Sequence, residues 1–397
     1  MPSALPLGEP WPENNRLQAV STGAKSFHAY VHIPFCEVRC GYCDFNTYTA
    51  SELGGIKRSD FHRPLIEEVL FSAKVLRDSN LEQQPLSSVF FGGGTPSLLA
   101  ATQVGEILAA LKEAFGFLED CEVTLEANPE SASEELLESL AKAGVNRISV
   151  GVQSFDPGVL STLDRVHDAG KVRAVIAAAK SLGYRVSADL IYGAPGETLE
   201  SWRETLLTAL ELGTEHISAY SLIVEPGTAL ARKIKKGELE DVDEDLNAEK
   251  YELTTELLEG AGYGYYETSN FGQPSIHNLA YWTSQNWWGY GPGAHSHISG
   301  SRFWNHKQPQ RYADALPSSP AVGMEVLSLR QRLEEELLLG LRLSSGVRAN
   351  LFDDLKIAQC KIDQLVAENL LEVRGERVLV TKEGRLLVDR MVVDFLS

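Results

Sequence analysis

From Ser26 onward the chain alternates short β-branched or apolar runs with longer stretches in which apolar residues recur every three or four positions. The runs at 28–33, 88–91, 122–126, 147–152, 186–191 and 216–222 read as strands. Apolar residues at helical spacing predict helices over 61–75, about 102–115, 134–143, 171–182 and 198–212. Repeated strand-then-helix units encode a parallel sheet with crossover helices, so the fold class expected is α/β. Six units are too few for a closed eight-fold barrel, which leaves a partial (β/α)6 barrel over residues 26–225. Past Pro226 the alternation stops, and the acidic run 236–245 reads as a solvated linker into a helix. The pattern changes again near 325, with helical spacing at 333–341, 351–357 and 362–368. A two-strand ribbon over 371–380, turning at Gly375, completes a helical, winged-helix-like module. The units expected are therefore an N-terminal extension (1–25), the barrel (26–225), a connecting segment (226–324) and a C-terminal domain (325–397).

Composition narrows the partners. Lys+Arg 36 against Asp+Glu 55 gives a net charge of −19, which argues against nucleic acid or an anionic membrane surface as the main partner. The C-terminal module adds no basic footprint, since 10 Lys/Arg from Gln331 onward meet 12 Asp/Glu. No apolar run approaches the roughly 18 residues of a membrane span, and residues 1–25 carry no apolar core of a secretion signal. Clustered cysteines fit a reducing compartment, so a cytoplasmic location is expected.

Three of the five cysteines, Cys36, Cys40 and Cys43, fall within eight residues directly after the first strand. Thiolates at that spacing ask for a metal. A four-iron cluster normally takes one ligand per iron, so three cysteines leave one iron open to a small molecule. Zinc is the rival, but the position two after Cys43 that could close the loop is Phe45. His32 is a conceivable fourth ligand that its place in the strand turns toward core packing.

The Cys-x3-Cys-x2-Cys spacing resembles the radical S-adenosylmethionine (SAM) enzymes. The preceding Tyr30-x-His-Ile-Pro-Phe-Cys36 narrows the resemblance to the oxygen-independent coproporphyrinogen III oxidase branch. The resemblance implies a 4Fe–4S cluster whose open iron is chelated by SAM, with Tyr30 and Tyr42 beside it. The oxidases of that branch carry a further cysteine where this chain has Phe45, and Cys43-Asp-Phe45 looks instead like the heme-chaperone members.

Function in parallel α/β units concentrates at the carboxyl ends of strands. After the second strand comes Gly92-Gly93-Gly94-Thr95-Pro96; glycines there let backbone approach a ligand closely, although a plain turn would use them too. Glu126-Ala-Asn128 and Gly151-Val-Gln153-Ser154 end the third and fourth strands, and the fifth passes through Asp189. Asn128 and Ser154 could equally cap the next turn or helix, and Arg165 could form a surface ion pair with Asp164. The resemblance assigns Gly93, Gly94, Thr95, Glu126, Gln153, Arg165 and Asp189 to SAM, whose charged and hydroxyl groups suit such partners.

Beyond the barrel, four of nine histidines and four of six tryptophans fall between His277 and His306. Flat aromatic surfaces with an imidazole suit a large planar ligand, while a tryptophan-rich core packing a loop onto the barrel mouth would look the same. His277-Asn-Leu-Ala-Tyr281-Trp282 is similar to the His-Asn-x-x-Tyr-Trp signature associated with heme in the chaperone members. The resemblance covers nearly the whole chain after about residue 26, C-terminal module included. It implies a heme chaperone that holds heme near His277, carries a SAM-chelated 4Fe–4S cluster and passes heme to acceptor apoproteins, served by an electron donor. The competing expectation is a radical enzyme that decarboxylates coproporphyrinogen III to protoporphyrinogen IX; a radical SAM enzyme acting on an unrelated substrate is a third.

Overall fold

In a computed structural model of the chain the residues described are 8–18, 20, 22–49, 55–81 and 84–397; part of the expected N-terminal extension (1–7, 19 and 21) lies outside them. Six strand-first units open the fold: β1 (Phe27–Ile33), α1 (His62–Asp78), β2 (Leu86–Gly93), α2 (Ala101–Phe115), β3 (Phe117–Ala127), α3 (Glu134–Ala143) and β4 (Arg147–Gln153). The short α4 (Pro157–Thr162), then α5 (Ala169–Ser181), β5 (Arg185–Tyr192), α6 (Leu199–Glu211) and β6 (His216–Ser221) complete them. These six strands pair in parallel in chain order. The crossover helices pack side by side, α1 on α2, α2 on α3 and α3 on α5. Buried Val, Ile, Leu and Phe from the strands and from the inward helix faces form one core, as the two superposed periodicities require.

The next segment contains α7 (Ala229–Lys235) and α8 (Glu244–Gly260), then β7 (Tyr265–Glu267), β8 (Asn270–Gly272), α9 (Ile276–Trp282) and β9 (Asn286–Tyr290). β10 (His295–Ile298), β11 (Ser301–Asn305), α10 (Pro309–Ala315) and β12 (Ala321–Val326) follow. Sequence patterning assigned no strand here, yet all six of these strands join the barrel sheet. β9 runs parallel to β1, β10 to β12 continue antiparallel from it, and β8 and β7 add antiparallel to β6. The open sheet has 12 strands, ordered β12-β11-β10-β9-β1-β2-β3-β4-β5-β6-β8-β7.

A second core belongs to the C-terminal residues: α11 (Leu329–Gly340), β13 (Val347–Arg348), α12 (Asn350–Leu355), α13 (Gln359–Ala367), β14 (Leu371–Arg374), β15 (Arg377–Val380) and α14 (Val388–Leu396). Helices and a three-stranded sheet, ordered β13-β15-β14, make up the expected winged-helix-like shape, with the ribbon turn at Gly375 in the left-handed region at φ 59°.

Candidate functional site

All six polar or glycine-bearing strand ends open on the same side of the sheet and enclose a cavity of about 450 Å³, within the usual size range of small-molecule sites. Every residue that the resemblance assigns to the cluster, to SAM or to heme lines it: Cys36, Cys40, Cys43, Tyr30, Tyr42, Gly93, Gly94, Thr95, Glu126, Gln153, Arg165, Asp189 and His277.

The cysteine loop leaves β1 and is held by its backbone, Cys36 N–H donating to the Tyr48 carbonyl (3.1 Å) and Cys43 N–H to the Cys40 carbonyl (3.2 Å). Leu230 at the start of α7 donates to the Gly41 carbonyl (2.8 Å), fastening the loop to the far side of the mouth. All three cysteines are free thiols, and burial raises the Cys36 pKa and lifts Cys43 to about 11. Cys43 also feels the charge of both other cysteines. Among the described residues, however, no three ligating side chains converge closely enough to grip one metal ion. His32 does not complete a zinc site, since its two ring nitrogens meet the Tyr30 hydroxyl (2.9 Å) and the Asn46 carbonyl (3.0 Å).

The glycine run lies against the entry to that loop. Gly94 N–H donates to the Ile33 carbonyl (2.8 Å) and Thr95 N–H to the Phe35 carbonyl (2.7 Å). A Cβ on Gly94 would stand 2.5 Å from the Phe35 carbonyl oxygen, and Gly93 holds φ +109°. Both positions therefore require glycine. Thr95 Oγ1 lies 3.9 Å from Cys36 Sγ and accepts from Asn128 (3.2 Å). Asn128 in turn accepts from Arg165 Nη2 (2.9 Å), and Arg165 Nη1 donates to Cys40 Sγ (3.5 Å). Asn128 is thus a bridge across the cavity wall rather than a cap. Arg165 faces inward, and Asp164 pairs with Lys233 instead. Gln153, in the left-handed region at φ 63°, sits at a register shift in β4. That strained conformation folds its amide back to within 2.8 Å of where a Gly151 Cβ would be.

Two carboxylates face each other across this floor. Asp189 accepts hydroxyl hydrogen bonds from Ser149 (2.7 Å), Ser187 (3.1 Å) and Ser218 (2.7 Å). Among the described residues Glu126 accepts only Gly93 N–H (3.1 Å), and burial, with Asp189 adding to it, lifts its carboxyl to about 7. A cation brought between them would be strongly favoured. Arg147, Ser149 and Ser218 also line the cavity and were missed in the sequence. Their alternation with apolar neighbours in strands carried a signal only once the strand order placed them beside Asp189.

His277 lies at the inner end. It is 1% exposed and stacks on Phe90 (ring centroids 5.1 Å apart). Its Nδ1 is 2.7 Å from Ser88 Oγ and its Nε2 is 2.9 Å from the Tyr281 hydroxyl. Burial keeps it neutral, its pKa far below the usual histidine range. A hydrogen-bonded file runs from Ser26 through His28, Ser88 and His277 to Tyr281. The helix that carries His277, α9, has two aspects: His277, Asn278 and Tyr281 line this cavity, while Trp282 lines a second one on the far side.

A family model of the radical SAM superfamily matches residues 30–209, and one of the HemN C-terminal domain matches residues 327–387. The chain is 40% identical over 377 residues to the heme chaperone HemW of Mycobacterium tuberculosis, covering 94% of this chain and 95% of that protein. It is 35% identical over 362 residues to the heme chaperone HemW of Lactococcus lactis, covering 90% and 92%. Among solved structures, coproporphyrinogen III oxidase (HemN) from Escherichia coli, a radical SAM enzyme, matches with a TM-score of 0.80 over 94% of this chain and 91% of that one. At 23% identity that likeness carries the fold alone.

Proposed function

This chain belongs to the HemW family within the radical SAM superfamily, and from that premise we propose that it is a heme chaperone, binding heme and passing it to acceptor apoproteins. Membership of the superfamily implies a 4Fe–4S cluster and SAM. In this proposal Cys36, Cys40 and Cys43 hold the cluster, which with SAM would supply one-electron chemistry when bound. Glu126, Asp189 and Gln153 would receive the cationic and hydroxyl groups of SAM, and Arg165 its carboxylate. Gly93, Gly94 and Thr95 would admit its amino group to backbone, with Tyr30 and Tyr42 alongside the cluster. An unpaired carboxylate lifted by burial beside a second carboxylate supports a cationic ligand there. We assign residues 26–225 to the barrel unit, 226–324 to the segment carrying the heme signature and 325–397 to a C-terminal unit, with an electron donor and heme-accepting apoproteins as partners.

One observation carries the heme reading: α9, bearing the His277 to Trp282 signature, is the wall between the cysteine-loop cavity and a second cavity. His277 would reach an iron through Nε2 only where the Tyr281 hydroxyl releases it. The alternative, oxidative decarboxylation of coproporphyrinogen III, keeps the support of the shared fold. Phe45, exposed at the cavity mouth, stands where that branch of enzymes carries its extra cysteine and favours the chaperone.

The test is anaerobic purification followed by titration with hemin. About four iron and four sulfide per chain are expected, lost in Cys36→Ala. A saturable Soret band should then develop on adding hemin. Absence of that band in cluster-loaded protein would overturn the heme reading.

A further inference from the structure

The second cavity, about 560 Å³, lies between the barrel sheet and the C-terminal unit, with Trp282 from α9 on one wall and Leu333, Val347 and Arg377 on the other. His297 in β10 lines it. That residue is 3% exposed, and its Nδ1 is 3.0 Å from the Gln285 carbonyl, which fixes Nδ1 as the protonated nitrogen. Trp287 backs the ring at 5.0 Å between centroids. No described residue hydrogen-bonds Nε2. An imidazole anchored through Nδ1–H to a backbone carbonyl, with Nε2 left as a lone-pair donor, is the arrangement metal-ligating histidines use. His277 is the opposite case, with both nitrogens engaged.

Charged groups of both signs line both cavities, and the balance tips toward arginine in the second. The first sets Glu126 and Asp189 against Arg147 and Arg165, two carboxyls against two guanidiniums. The second is lined by Arg332, Arg348 and Arg377 against Glu335 and Glu336. Glu335 is paired by Arg302 and Glu336 by Arg348. Arg377 donates to the backbone carbonyls of Ser345 and Gly346, and among the described residues it has no carboxylate partner. In a chain of net charge −19 this is a local site for an anionic ligand.

We infer that the cavity between the barrel and the C-terminal unit is a metalloporphyrin site in which His297 Nε2 ligates the iron, Trp282 flanks the macrocycle and Arg377 faces a propionate. The inference rests on the heme reading above. It divides the signature helix between two ligands, one aspect turned to SAM and the other to heme.

The experiment titrates the full chain, its cluster reconstituted, with hemin, and records the Soret band and the resonance Raman spectrum of the ferric protein. Wild type should show imidazole ligation. His297→Ala should lose that signature and weaken hemin binding by about tenfold or more, and added imidazole should restore the signature. His277→Ala should keep it. Thr283→Trp, which narrows the same cavity from an exposed position, should weaken binding with the His297 ligand in place, and retained cluster absorbance shows that each variant is folded. Wild-type ligation in His297→Ala, or loss of ligation only in His277→Ala, overturns the assignment while leaving the heme reading intact. Wild-type protein that binds no hemin overturns both.

Discussion

At the scale of single residues, the cavity is built from side chains whose protonation is set by burial. Glu126 is the clearest case, raised from 4.5 to about 7 by desolvation and by Asp189. A carboxyl raised in the folded state holds more protons folded than unfolded between those two values. Its stabilising contribution is complete below about 4.5 and is lost as pH rises toward about 7. Denaturation midpoints of the cluster-free protein between pH 4.5 and 8 should therefore fall with rising pH, and Glu126→Gln should flatten that fall. An equally steep fall in the variant would show that Glu126 is not the group involved. The thirteen residues singled out from sequence were legible because cysteine spacing, glycine runs and strand-terminal polar residues are local features. The Ser88 and Tyr281 bonds that close both nitrogens of His277 were not legible, since Ser88 lies 189 positions away and reaches it only through strand order. His297 was hidden for the same reason, its cavity being formed by two parts of the chain that local pattern treats separately.

At the scale of elements, the alternation of strand and helix was written plainly up to residue 222, where each run has a single period and a single partner. Beyond it the strands are short, rich in Gly, Trp and Asn, and hold their places through side chains. Glu68 on α1 shows how. Wholly buried, its carboxylate accepts from Gly291 N–H (2.8 Å), Asn305 Nδ2 (2.7 Å), Tyr312 OH (2.5 Å) and Trp288 Nε1 (3.4 Å). One residue thus ties a barrel helix to β9, β11 and α10, and no period in the sequence announces it. Glu68→Ala should cost about 3 kcal/mol or more in urea unfolding, because several buried donors lose their acceptor together. Glu68→Gln, which keeps an acceptor oxygen, should recover part of that loss. A loss below about 1 kcal/mol in the alanine variant would mean that the extra strands are held by their backbone pairing alone.

At the scale of the whole molecule, a twelve-stranded sheet and a separate C-terminal core leave two cavities on either side of one seven-residue helix. None of the described helices is long and apolar enough to cross a membrane. The extension of the sheet by β9 to β12 brings the aromatic segment beside β1, so the cysteine loop and the His277 to Trp282 segment, about 240 residues apart in the chain, share one neighbourhood. That adjacency would serve a chaperone that couples its cluster to its cargo, and it would equally serve an enzyme that decarboxylates a porphyrinogen. The most direct measurement incubates the reconstituted protein anaerobically with SAM, a low-potential reductant and coproporphyrinogen III, and separates the oxidised porphyrins by chromatography. The account predicts coproporphyrin alone at the end of the incubation; substantial protoporphyrin would contradict it.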